Sequence, residues 1–304
     1  MGKRSLKQLV AAVSVVAASA PSLHALETRD DNPDAQNRFS SGFSSNPVDN
    51  TSNNFLLSGY NLSGIGWDPT DTRKGFVMIS PIHFLAATHF APNSSDSITF
   101  QNQSGNLVNI GVAGAQAMKN NNNSASDLTL GTLDRALVTA DQVNFFSVAD
   151  LATESLYTGR ALFVYGSTPK VGQATIGAFQ DFAGDPVTAG SGLNPSRTYQ
   201  FTYADVGGGG NDAYFEVGDS GSPSFTIIGG QLAITGTHSA LVSGTGVKVN
   251  YDTFVPDYFD ELNTAMAIDG FQVTAPATVP EPSAYALLLG SIMLAGAIFR
   301  RRSH

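Results

Sequence analysis

From Phe55 onward, short apolar runs alternate with polar turn clusters. The runs are Gly75 to Ile79, Ser97 to Phe100, Leu107 to Val112, Ala161 to Tyr165, Gln173 to Phe179, Tyr199 to Tyr203, Ser224 to Ile228 and Leu232 to Thr237, with Asn, Gly, Ser and Pro between them. Runs of this length bounded by turn formers predict strands, and a long series of them predicts an all-β barrel or sandwich. One helix is predicted late in the chain. Pro256 suits a first helical position, and Phe254, Tyr258, Phe259, Leu262 and Met266 fall on one helical stripe that would pack against a barrel. Residues 26–54 are polar and rich in Asn, Ser and Asp, and read as an extended arm or propeptide rather than core. Asn120 to Asn123 and Gly207 to Gly210 read as surface loops. No internal repeat recurs at a fixed period.

The two ends have a different character. Lys3, Arg4 and Lys7 precede an apolar run from Leu9 to Ala20 and small residues up to Ala25, the layout of a signal peptide over residues 1–25. At the other end Val279-Pro280-Glu281-Pro282-Ser283 leads into an apolar run from Ala284 to Phe299 and then Arg300-Arg301-Arg302. This tripartite tail resembles the PEP-CTERM sorting signal of Gram-negative bacteria. The resemblance implies export, an exosortase-type enzyme as partner, and contact with the membrane only through the signal peptide and the tail over residues 271–304. It also implies display at the cell surface or release, after a transient inner-membrane stage.

The chain of 304 residues contains no cysteine, so its stability rests on its core rather than on disulfides. Without the two ends, 10 basic and 24 acidic residues remain, a formal charge of −14. Such a surface repels phosphate backbones and disfavours nucleic acid as a partner.

The chemistry concentrates in three places. Gly218-Asp219-Ser220-Gly221-Ser222-Pro223 presents a hydroxyl in a sharp turn, Leu85-Ala86-Ala87-Thr88-His89-Phe90 places a histidine after an apolar strand, and Ser126-Asp127-Leu128-Thr129-Leu130 supplies a carboxylate. Each alone has an ordinary reading: a tight turn, a satisfied histidine, a solvated aspartate, with Asp134 a nearby rival. Together they supply a nucleophile (Ser220), a base (His89) and a group that orients the base (Asp127). Gly218 and Ser220 would offer backbone N–H donors to a developing oxyanion. His24 and His304 lie in the end segments, and no His-Glu-x-x-His zinc motif occurs. His83 reads as structural.

The order His, Asp, Ser and the motifs Ala86-Ala87-Thr88-His89, Asp127-Leu128-Thr129-Leu130 and Gly218-Asp219-Ser220-Gly221-Ser222-Pro223 resemble those of the chymotrypsin-like (trypsin-like) serine peptidases. The resemblance implies a domain over residues 55–270 built of two six-stranded antiparallel β barrels, meeting near residues 140–157, with a C-terminal helix. It implies peptide hydrolysis through an acyl-enzyme on protein or peptide substrates, with no cofactor and no metal. Ser222 stands where many members have glycine, the usual cysteines are missing, and no Ile-Val-Gly-Gly activation site is present. In the animal enzymes a freshly cut N-terminus pairs with the residue at the position of Asp219. Tyr214 would lie at the base of the specificity pocket, which disfavours cleavage after Lys or Arg. His238 and Ser239 would lie on its wall, where His238 would meet a substrate glutamate. The rival reading is a catalytically inactive surface or matrix protein that keeps the fold and binds. An α/β-hydrolase esterase is disfavoured by the motif order and by Ser222 in place of the last elbow glycine.

Overall fold

The computed structural model describes residues 26–119, 124–187, 195–203, 210–244 and 247–277. The signal peptide, the Asn120 to Asn123 and Gly207 to Gly209 stretches and the sorting motif from Val279 lie outside the described residues. Among the described residues no helix is long and apolar enough to cross a membrane.

The first lobe is a closed six-stranded barrel. Its strands run Ile65–Trp67, Gly75–Met78, His83–Ala86, Ala125–Leu133, Leu107–Lys119 and Ser97–Gln101 around the ring, and Trp67 pairs with Thr99 to close it. The alternation of the strands divides their side chains between two cores. Phe76, Met78, Phe84 and Ala86 point into the barrel with Ile98, Phe100 and Ile110. The intervening Val77 and Leu85, with Leu128 and Leu130, join a second core that also holds Phe225, Ile234, Tyr258 and Leu262. That second core welds the barrel to the other lobe. Gly131 sits opposite Phe84 in the ladder, and any β-carbon there would run into the Phe84 ring.

The second lobe is a half-barrel. It is an open sheet in the order Val171–Thr175, Ala161–Tyr165, Pro223–Ile228, Gln231–Gly244, Val247–Phe254, Arg197–Tyr203 and Phe179–Asp181, with Ser147–Val148 added in parallel to Gln231–Gly244. The stretch expected as one strand over Gln173 to Phe179 breaks at Ile176-Gly177-Ala178. Its first half pairs with Ala161–Tyr165 and its continuation with Arg197–Tyr203, so one segment serves both edges without a continuous ladder. Gly177 N–H donates to Gln200 O and Gln200 N–H to Ala178 O, which bridges the gap locally. The expectation of an all-β fold with two barrel-like lobes and a C-terminal helix holds, the second lobe being a half-barrel.

The helix forms where its stripe placed it. Val255–Tyr258 is a tight turn carrying Pro256, followed by the helix Phe259–Met266, which buries Leu262 and Met266. Its Glu261 carboxylate accepts the Lys119 N–H at 2.7 Å, so a segment next to the second lobe reaches back to the first.

The polar N-terminal segment is docked rather than a loose arm. Leu26 and Phe39 are buried at 1% and 5% exposure, and Glu27–Thr28 pairs with Ala213–Tyr214. The buried Gln36 amide bonds Thr28, the Asp30 carbonyl and the Asn211 side chain. Two apolar anchors thirteen positions apart leave no periodic signal, so the sequence pattern hides the docking.

Candidate active site

His89 lies in a single tight turn, Thr88–Phe90, that follows the His83–Ala86 strand. Thr88 fixes the turn by donating to the Ser126 carbonyl at 2.8 Å, next to Asp127. Asp127 comes from the adjacent Ala125–Leu133 strand and is fully buried. Its carboxylate stands 2.9 Å from His89 Nδ1 through both oxygens and accepts the His89 backbone N–H at 3.1 Å. A bond to both the ring and the main chain of one residue fixes the imidazole plane. His89 Nε2 then faces Ser220 Oγ at 2.9 Å. Asp134, the rival carboxylate, sits exposed beside Gly111 at the far end of that strand.

Two serines of the second lobe grip Asp127. The Ser239 hydroxyl donates to Oδ2 at 2.6 Å, and the Asp127 N–H donates to Ser196 Oγ at 3.0 Å. Burial pushes the Asp127 carboxyl above the ordinary aspartate range, opposed by the hydrogen bonds and charge of His89 and by Ser239.

The turn that carries Ser220 is set by two glycines with positive φ, Gly218 at 108° and Gly221 at 82°. Side chains rarely adopt these dihedrals. A β-carbon on Gly221 would also lie 2.8 Å from Ala87 N and from Gly75 O, so the turn presses flush against the first lobe. Gly221 N–H donates to the His238 carbonyl and His238 N–H to the Ser222 carbonyl, each at 3.0 Å, which stitches the turn to the long Gln231–Gly244 strand. Neither the Gly218 nor the Ser220 N–H has a hydrogen-bond partner among the described residues, so both donors are open to an oxyanion.

Asp219 is fully buried and satisfied within the domain. Oδ1 accepts the Ser167 N–H at 2.7 Å and its hydroxyl at 2.8 Å, and Oδ2 accepts the Glu216 N–H at 2.8 Å. Burial pushes this carboxyl up as well, against those hydrogen bonds.

The three residues expected to meet substrate sit elsewhere. Both nitrogens of the buried His238 are engaged, Nδ1 with Asp252 Oδ1 at 2.7 Å and Nε2 with the Tyr165 carbonyl at 3.0 Å, and the ring stacks on Phe215. Nothing of it is left for a substrate carboxylate. The Ser239 hydroxyl is committed to Asp127. Tyr214 is 2% exposed, with its hydroxyl on the Glu27 carboxylate and Lys248 Nζ 3.6 Å above its ring. Substrate contact through these side chains is corrected to support of Asp127, of the nucleophile turn and of the N-terminal strand. His83 is structural, between Ser80 and Asp269.

Ser167 and Ser196 carry no signal in the sequence, since isolated serines in loops look alike. The His238–Asp252 pair was legible in principle, because a hairpin whose last pair is Gly244 with Val247 puts the two residues opposite each other. Among the described residues no group of three or more His, Asp or Glu side chains converges as metal ligands do.

No family model matches the chain, and no curated protein matches it in sequence. Among solved structures the chain is similar to Kallikrein-related peptidase 10, at 14% identity and a TM-score of 0.45, over 66% of this chain and 93% of that one.

Proposed function

We propose that the protein is a serine endopeptidase that works through an acyl-enzyme. The observation that carries this reading is the continuous line from Asp127 through His89 to Ser220 Oγ, with both links at 2.9 Å. Ser220 Oγ attacks the peptide carbonyl while its proton passes to His89 Nε2. The carbonyl electron pair moves onto oxygen, where the Gly218 and Ser220 N–H groups receive it. As the tetrahedral species collapses, the C–N bond breaks and the amine leaves with the proton from His89. Water then repeats the sequence on the ester, giving its proton to His89 and releasing the acid and Ser220. Asp127 holds the ring in the tautomer that leaves Nε2 free to accept, and stabilises the imidazolium that forms.

The oxyanion turn of this chain is complete without a newly cut N-terminus, because Ser167 and the Glu216 N–H already satisfy Asp219. Export by the N-terminal signal and sorting through the C-terminal tail belong to the same proposal, and the mature termini from the native host test them.

Fluorophosphonate labelling of the purified domain tests the chemistry. Wild type is expected to label while Ser220→Ala and His89→Ala do not. A folded wild type that fails to label is a binding protein on a peptidase-like frame.

A further inference from the structure

Arg73 stands beside the Ser220 turn, in the loop that joins the strands Ile65–Trp67 and Gly75–Met78. Its aliphatic stem lies along the main chain of that turn. A β-carbon on Gly218 would come within 3.2 Å of Arg73 Cδ, 3.5 Å of Cγ and 3.7 Å of Cβ. The guanidinium lies 5.6 Å from the centre of the Phe90 ring, and Phe90 follows His89 in the chain. A cation over an aromatic face at this range is attracted to it. One side chain therefore spans from the Gly218 main chain to the neighbour of His89.

The guanidinium is aimed as well as placed. Asp71 takes one edge of it, with Arg73 Nε donating to Oδ1 and Nη2 to Oδ2, each at 2.7 Å. Those hydrogen bonds hold the Asp71 carboxyl below the ordinary aspartate range, so the pair stays ionised at neutral pH. The other edge is open. Nη1 has no hydrogen-bond partner among the described residues, and the side chain is 54% exposed. A guanidinium carries five donors in a rigid fork, so it can meet a second carboxylate without releasing the first. Lys74, the next cation in the loop, is already held between Asp68 at 3.1 Å and Asp96 at 3.0 Å.

We propose that Arg73 selects peptides with an aspartate or glutamate among the first two residues after the cut bond. The leaving half of a substrate is the half that takes the proton from His89, so it runs out past His89 and Phe90. An extended chain advances about 3.3 Å per residue. Its first two residues on that side pass within reach of a guanidinium that lies over Phe90, and a carboxylate there meets Nη1. The inference rests on the endopeptidase reading and adds a substrate class to it.

The test begins with a mixed peptide library cut by the purified protein, the cut bonds being read by mass spectrometry. The best-cut sequence is then remade as two internally quenched peptides that differ only in Glu or Lys at the enriched position after the bond. Rates are counted per Ser220 that a fluorophosphonate labels, so partly folded preparations do not distort them. Wild type is expected to favour the Glu peptide about five- to tenfold in kcat/KM at low salt, and less at about 0.5 M salt, where an exposed charge is screened. Arg73→Gln is expected to bring the two peptides within about twofold of each other, and Arg73→Lys, which keeps the charge and loses the fork, to fall between. Should Arg73→Gln not fold, Arg73→Lys and the salt dependence decide. Labelled wild type that cuts both peptides equally, or Arg73→Gln that keeps the wild-type preference, would overturn the assignment and leave the peptidase reading standing. Wild type that cuts no bond in the library would overturn the peptidase reading, and this inference with it.

Discussion

Ser239 donates to the fully buried Asp127 at 2.6 Å. Hydrogen bonds to a charged group are worth about 1.5–3 kcal/mol. Ser239→Ala is therefore expected to lower turnover about ten- to hundredfold with KM little changed, because the loss falls on the charge that builds up at His89. Steady-state kinetics on a peptide ester checks this, and a rise in KM alone would return Ser239 to the substrate-contact role. His238 differs in kind. Its pairing with Asp252 is fully buried, and Tyr199 donates to the second Asp252 oxygen at 2.8 Å. Removing one member of such a pair strands the other, so His238→Phe is expected to cost about 3–5 kcal/mol in chemical denaturation. His83 adds a pH dependence. Burial holds its ring below the ordinary 6.5 despite the attraction of Asp269. The unfolded chain therefore takes the proton first, so this contribution is complete above about pH 6.5 and is lost as pH falls through the lower folded value. His83→Gln is expected to remove that part of the stability loss between about pH 7.5 and pH 5 in urea midpoints.

At the scale of elements, the close packing of Gly131 on Phe84 ties two barrel strands at one ring. Overpacking costs about 1–3 kcal/mol, so Gly131→Ala is expected to lower the melting temperature, and an unchanged value would mean that the ring has room to move. The same scale shows what the sequence made legible. Strands such as Gly75–Met78 and Ala161–Tyr165, and the helix at Phe259–Met266, announce themselves because each needs only local periodicity. The motif turn at Ser220 was legible for a similar reason, since the glycines that shape it are its neighbours. What stayed hidden depends on partners far away in sequence. Ser239 reaches Asp127 across 112 positions, and Ser196 reaches it across 69. No local pattern records either. The break in the run from Gln173 to Phe179 was hidden in the same way, because Gly177 and Ala178 meet the distant Gln200 there.

Over the whole molecule, the docked N-terminal segment separates two roles that its composition left open. A propeptide leaves on maturation, whereas a structural segment cannot be removed without loss. Leu26 and Phe39 are buried, and burying side chains of this size is worth about 1.5–3 kcal/mol each. Deleting residues 26–54 is expected to lower stability by at least about 3 kcal/mol. A truncated domain as stable as the intact one, with faster labelling of Ser220, would identify a propeptide instead.

His89 and Asp127 come from the barrel, whereas Ser220, Ser196 and Ser239 come from the other lobe, and a shared apolar core fastens the halves. Neither half alone therefore holds all the groups of the Ser220 site. On the proposed reading, the ability to cut exists only once the two halves have docked, so a chain still assembling leaves its neighbours uncut.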